Sequence, residues 1–221
     1  MRTPYNRVAG QSLERLAALS DGIFAVAMTL LVLDLRVVAP EMSHVVQPIW
    51  SSGALPAEAM LWSALLNLAP RLLTYFMSFL TLGMFWVGQQ TQFNHFSHSD
   101  RNLTWIHIAF LCCISLMPFS TGFLAEYITF RVALLVYWFN LLVLGAVLLA
   151  GWRYAERAGL LHADTTHETS TAIVRRIAIV QVLYAVCVAL SAINTYVSIG
   201  LIVLLQLNSA IAPRIRFLDR F

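Results

Sequence analysis

The chain has 221 residues, of which 59% are hydrophobic and only 11% charged, with a formal net charge of +3; soluble domains carry about 25% charged residues. Water cannot cover so apolar a chain, so a lipid bilayer is the solvent for most of its side chains and the fold class is an all-α integral membrane protein. All 14 basic residues are arginine, and so small a net charge excludes a nucleic-acid surface.

A membrane-spanning helix needs roughly 20 mostly apolar residues. Six segments fit, running from Leu13 to Leu35, Arg71 to Gln92, Leu103 to Ala125, Phe130 to Trp152, Ala172 to Ala192 and Tyr196 to Ala212. With no internal repeat and no dividing linker, residues 1–221 read as one domain. Arg2 and Arg7 precede the first segment, but Glu14, Arg15 and Asp21 interrupt its apolar run and no small-residue cleavage site follows. The first helix is therefore expected to be retained rather than removed as a signal peptide.

Within that segment Ser20 and Asp21 stand out, because an ionisable group inside a span is usually paired or close to water. Two readings are open. Ser20 and Asp21 cap a helix that starts there, or the helix starts earlier and Asp21 meets Arg15 or polar groups of neighbouring spans. From Gly22 to Leu33 the only hydrogen-bonding side chain is Thr29. Helical spacing puts Val26, Thr29, Leu30 and Leu33 on one face. That stripe is either a helix-packing surface or, if several copies surround an axis, a set of aliphatic rings with one ring of hydroxyls, a constriction that gates by dewetting.

The long loop after the first span is broken by prolines, glycine and serines, with a short interfacial helix expected from Ala57 to Leu68. Asp34 and Glu41 near its start read either as charges that concentrate cations at a mouth or as ordinary interfacial groups. The second span ends in FWVGQQTQF, and Trp86, Gln89 and Gln90 share a depth with Trp105 and His107 of the third. Each is a candidate partner for Asp21, though a histidine there is equally read as structural and the amides as interfacial. In SLMPFSTGFLAEY, Pro118 marks either a kink with Ser120 or Thr121 covering freed carbonyls, or a helix end. Cys112, Cys113 and Cys187 lie in apolar stretches without metal-ligand spacing and read as packing residues. The loop ERAGLLHADTTHETS ends in a helix start before Thr171.

Six spans put both termini on one side. That side holds Arg2, Arg7, Arg15, Arg101, Arg153, Arg157, Arg175, Arg176, Arg214, Arg216 and Arg220, against Arg36, Arg71 and Arg131 opposite. The positive-inside rule makes the termini cytoplasmic.

RLAALSDGIFAVAMTLLVLDLRV resembles the first-helix signature of the transmembrane protein 175 family, the potassium channels of endolysosomes and, as single six-helix subunits, of bacteria. Arg15, Ser20 and Asp21 match the signature, with Leu19 in place of phenylalanine; Trp86, Phe93, LMPFST, Glu126 and Tyr127 support it. The resemblance implies a homotetramer in a bacterial inner membrane, with the first helices lining a central pore for potassium ions and no cofactor. It places the narrowest ring at Val26, further rings at Leu30 and Leu33, and the selectivity-related hydroxyl at Thr29. It also implies a polar network of Arg15, Ser20 and Asp21 with the second and third spans, where Gln89 and Gln90 replace histidines and His107 replaces an asparagine.

The leading expectation is therefore a passive potassium-preferring cation channel. A proton-coupled transporter using Asp21 is the alternative, but it usually brings broken helices and paired repeats. An enzyme using Asp21, His107 and Glu126 is disfavoured because Glu126 lies toward the opposite side, and no HExxH, GxSxG or phosphate-loop motif occurs.

Overall fold

The structure is a computed structural model and describes residues 12–36, Trp50 and 54–210. All regular elements among them are helical: α1 (Leu13–Leu30, prolonged by a 3-10 turn, Leu31–Asp34), α2 (Ala54–Leu66), α3 (Ala69–Phe93), α4 (Arg101–Ser115), α5 (Met117–Glu126), α6 (Arg131–Ala158), α7 (His167–Ala189, followed by the 3-10 turn Leu190–Ala192) and α8 (Thr195–Ala210). Arg2, Arg7, Glu41, Arg214, Arg216 and Arg220, and the last two residues of the expected sixth span, lie outside the described residues.

Local chemistry sets the helix ends. Ser12 caps α1, its hydroxyl accepting from the Arg15 amide, so the helix starts well before Ser20 and those two polar residues are not its cap. The Asp100 carboxylate accepts from the Leu103 amide at 2.8 Å to start α4, and the Thr166 hydroxyl accepts from the Thr169 amide to start α7. Gly159 closes α6 with φ +69°, a left-handed conformation that glycine adopts without a Cβ penalty. Pro118 ends one helix and begins the next. α4 stops at Ser115, α5 restarts at Met117 with the proline in its first turn, and the Ser120 and Thr121 hydroxyls both donate to the Met117 carbonyl.

Five segments are long and apolar enough to cross a membrane: Leu13–Asp34, Ala69–Phe93, Arg101–Glu126, Arg131–Ala158 and His167–Ala192. These make the chain an integral membrane protein. The sixth expected span is a shorter apolar helix of 16 residues, about 24 Å long at 1.5 Å per residue, against roughly 30 Å of hydrocarbon. Several helices outrun the apolar segments that announced them, α6 by continuing through Arg153 and Arg157. α2 lies three residues earlier at its start than expected and presents Leu61, Trp62, Leu65 and Leu66 outward.

α6 is the hub, packed against α4, α5 and α7, while α3 packs on α5 and α8, and α1 lies at the edge against α3 and α4. At one end an antiparallel bridge between Phe96 and Leu161 ties the α3–α4 loop to the α6–α7 loop, with Phe96 stacked on Trp152. Asp34, Arg71 and Glu126 meet at the opposite end.

Between the two ends the core is polar at one depth. Tyr137 of α6 takes a hydrogen bond from Ser78 at 3.3 Å and shares another with Thr81 at 3.2 Å. Thr121 of α5 donates to Ser78 at 2.7 Å, and Gln206 of α8 donates to Thr81 at 2.7 Å. One phenol on α6 thus centres a network of hydroxyls and an amide from three other helices. Tyr137→Phe keeps the apolar contacts and deletes this junction; it is expected to cost about 1 kcal/mol, read as a lower thermal unfolding midpoint in detergent.

Candidate functional site

α1 has two faces with different duties. Leu16, Ser20, Phe24, Ala27 and Leu31 are buried at spacings of three and four, and Phe24 sets its ring 6.1 Å from that of Phe110 on α4. On the opposite side Val26 is 57% exposed, Leu30 42% and Leu33 59%, with Leu19, Gly22 and Thr29 exposed beside them. The expected face of Val26, Thr29, Leu30 and Leu33 is therefore turned away from the subunit. A shallow apolar groove follows its edge, bounded by Leu19, Val26 and Leu30 on α1 and by Ile108 and Cys112 on α4. Thr29 donates its hydroxyl proton to the Val26 carbonyl at 2.8 Å. The proton is committed to the helix backbone, and the oxygen keeps its acceptor capacity for whatever lies outside.

The inward face is held by hydrogen bonds. Asp21 Oδ1 accepts from the Trp86 indole at 2.8 Å and from the Gln90 amide at 3.1 Å. One turn-face away, the buried Ser20 hydroxyl accepts from Gln89 Nε2 at 3.2 Å, and the same amide lies 3.4 Å from His107 Nδ1. Ser20, Gln89 and His107 are fully enclosed. His107 also sits against Phe93, with ring centroids 4.8 Å apart, so the ring is wedged between α3 and α4 as well as bonded.

Of the five residues expected in the polar network, the structure brings together Ser20, Gln89 and His107, with Asp21 alongside in its own pair of bonds. Arg15 is a correction. It is exposed, and its side chain makes no hydrogen bond or ion pair with Asp21, which is held by Trp86 and Gln90 instead. Six residues of α-helix turn the two side chains about 120° apart around the axis, so Arg15 and Asp21 do not face each other. The Asp34 carboxylate lies close against Gly122 of α5. Glu41 lies outside the described residues. Glu126 is at the opposite end of the bundle from Asp21 and His107, which removes the acid–base set of the enzyme reading.

Sequence reasoning did not find the contact of Asp34 with Gly122 or the role of Arg71. The sole signal was an arginine opening a span just after Pro70, opposite an acidic residue that closes another. Cys112, Cys113 and Cys187 are free, and of the three expected to be packing residues Cys187 is buried, Cys113 half-buried and Cys112 exposed in the subunit; no cluster of metal-binding side chains occurs among the described residues.

The sequence profile of the family described as endosomal/lysosomal potassium channel TMEM175 matches residues 15–118. A protein named potassium channel in Chamaesiphon minutus is 31% identical over 202 residues, covering 89% of this chain and 93% of its own length. A protein named potassium channel in Streptomyces collinus is 30% identical over 151 residues, 66% of each chain. The human endosomal/lysosomal proton channel TMEM175 is 33% identical over 110 residues, 49% of this chain but 20% of its own. Among solved structures, the crystal structure of a lysosomal potassium-selective channel TMEM175 homolog from Chamaesiphon minutus superposes with a TM-score of 0.72 at 29% identity, covering 90% of this chain and 96% of that one.

The anchor makes an ordered prediction. Asp21→Ala strips the acceptor from Trp86 and Gln90 and is expected to cost about 1 to 2 kcal/mol, limited by the exposure of the carboxylate. Asp21→Asn keeps an acceptor oxygen and costs less. Thermal unfolding of the three proteins in one detergent checks the order.

Proposed function

The chain belongs to the TMEM175 family, and from that premise we propose that it forms a potassium-selective cation channel whose pore is lined by α1 of four identical subunits. The family is one of ion channels, not enzymes. The observation that carries the reading is the division of α1 into a face hydrogen-bonded to its own subunit and a face carrying Val26, Thr29, Leu30 and Leu33 that the subunit leaves uncovered. Exposed leucines alone would suit lipid equally well, because lipid tails are as apolar as leucine. What supports an axis is the alignment of those leucines with a hydroxyl, on a helix fixed from behind, in a chain that superposes along 90% of its length on a potassium-selective channel.

In this reading each subunit contributes six spans, α8 being the last, with both termini cytoplasmic and the membrane the inner membrane of a bacterium. Four copies of the face stack rings of Val26, Leu30 and Leu33. A cation passing such rings loses most of its water, which hydrophobic walls do not replace, so flow is limited and gated there. The Thr29 oxygens, with their protons turned onto Val26 carbonyls, are the one set of side-chain acceptors at that depth and favour an ion that dehydrates readily. Valine at position 26 makes a wider ring than the leucines at 30 and 33. The narrowest point accordingly lies at Leu30 or Leu33.

Purified protein in liposomes tests the proposal through flux driven by a potassium gradient, repeated with sodium and with a proton gradient. Wild type is expected to pass potassium in preference to sodium with no coupling to protons. Leu30→Asn and Leu33→Asn, which put polar amides on the constriction, are expected to raise flux and lower the potassium preference by about tenfold or less. Unchanged flux and preference in both variants sinks the pore assignment, and uphill potassium movement driven by protons revives the transporter.

A further inference from the structure

The outer end of α1 is gripped by three groups that the pore reading leaves without a role. α1 ends in a 3-10 turn, Leu31–Asp34, closed by the Leu35 amide donating to the Val32 carbonyl at 3.0 Å and the Arg36 amide donating to the Asp34 carbonyl at 2.9 Å. Arg36 Nε donates to the Leu33 carbonyl at 3.2 Å. Arg71 Nη1, from the first turn of α3, donates to the Asp34 carbonyl at 3.3 Å. The second Arg71 nitrogen, Nη2, pairs with Glu126, the last residue of α5. One turn before Glu126, on the same face of α5, Gly122 receives the Asp34 carboxylate: a Cβ on Gly122 would lie 2.6 Å from Oδ2, 3.1 Å from Cγ and 3.2 Å from Oδ1. A methyl added at Gly122 would displace the carboxylate from this seat.

The turn held in this way contains both an inward and an outward leucine. Leu31 is fully buried, whereas Leu33 is 59% exposed. Successive helical residues differ by roughly 100° or more about the axis, so a modest rotation of the turn moves Leu33 off the outward face. A surface ion pair contributes little to stability, but a guanidinium that bridges a carbonyl of one element and a carboxylate of another fixes an angle between them.

We propose that Arg71, Gly122 and Glu126 are positioning residues that set the rotation of the outer α1 turn, and through it the direction in which Leu33 faces the pore. The proposal rests on the reading of α1 as the pore helix. It makes the outer anchor the counterpart of the inner one at Asp21, so that α1 is held on both sides of its aliphatic stretch. It also gives Asp34 a task other than attracting cations.

The test uses the full-length protein in liposomes, with potassium and sodium flux measured for wild type, Leu33→Asn, Arg71→Gln, Gly122→Ala, Asp34→Ala and the double variant Asp34→Ala with Gly122→Ala. Protein yield and elution volume are recorded for each. Arg71→Gln and Gly122→Ala are expected to change the potassium-to-sodium flux ratio by about threefold or more at unchanged yield and elution. In the Asp34→Ala background the added methyl meets no carboxylate, so the double variant is expected to match Asp34→Ala alone. If Gly122→Ala does not fold, Asp34→Ala decides, since it removes the same contact without adding an atom. Wild-type ratios in Arg71→Gln and in Asp34→Ala, beside a shifted ratio in Leu33→Asn, overturn the positioning role and leave the pore intact. A ratio unmoved in Leu33→Asn as well overturns both.

Discussion

Hydrogen bonds, rather than apolar burial, fix the register of α1, and this follows from the solvent. In a bilayer a leucine gains little by leaving lipid for a neighbouring helix, so Phe24, Ala27 and Leu31 supply shape and dispersion but no strong preference for one register. Ser20 and Asp21 have no substitute partners in hydrocarbon. Their bonds to Gln89, Trp86 and Gln90 of α3 therefore determine how α1 is rotated and how deep it sits. Everything on the outward face inherits its direction from them.

The same constraint shapes the subunit interior. Gln92 of α3 and Gln181 of α7 donate to the Leu148 and Leu141 carbonyls of α6, using the second lone pair of carbonyls already engaged in the helix. Gly145 makes this possible on the Gln181 side, since a Cβ there would overlap the amide at 1.6 Å from Nε2. With Tyr137 joining α3, α5 and α8 at mid-depth, α6 becomes a frame whose neighbours are located by polar contacts and filled in by leucines. Such a frame keeps α3 still, and α3 in turn carries the anchors of α1.

Polar groups are unevenly placed along α1. Groups that must be satisfied face inward or sit at the ends. The stretch from Gly22 to Leu33 carries a single hydroxyl, and that hydroxyl spends its proton on its own backbone.

Much of this was legible in the amino-acid order. Span positions follow from apolar run length, and the two faces of α1 follow from the 3.6-residue period, because both are properties of a single segment. The meeting of Asp21 with Trp86 and Gln90 was readable from shared depth. Helix ends beyond the membrane were not, since α6 continues through Arg153 and Arg157, where hydropathy falls but helical bonding does not. The isolation of Arg15, the 16-residue length of α8 and the seating of Asp34 on Gly122 also escaped. By itself the sequence determined the membrane class, the location of the helices and which residues share a face, as consequences of local chemistry repeated along a helix. Only the tertiary structure decided which face of α1 is covered and what grips its ends, because those depend on backbone approach between segments far apart in the chain, where one missing Cβ or one angle between helices selects the contact.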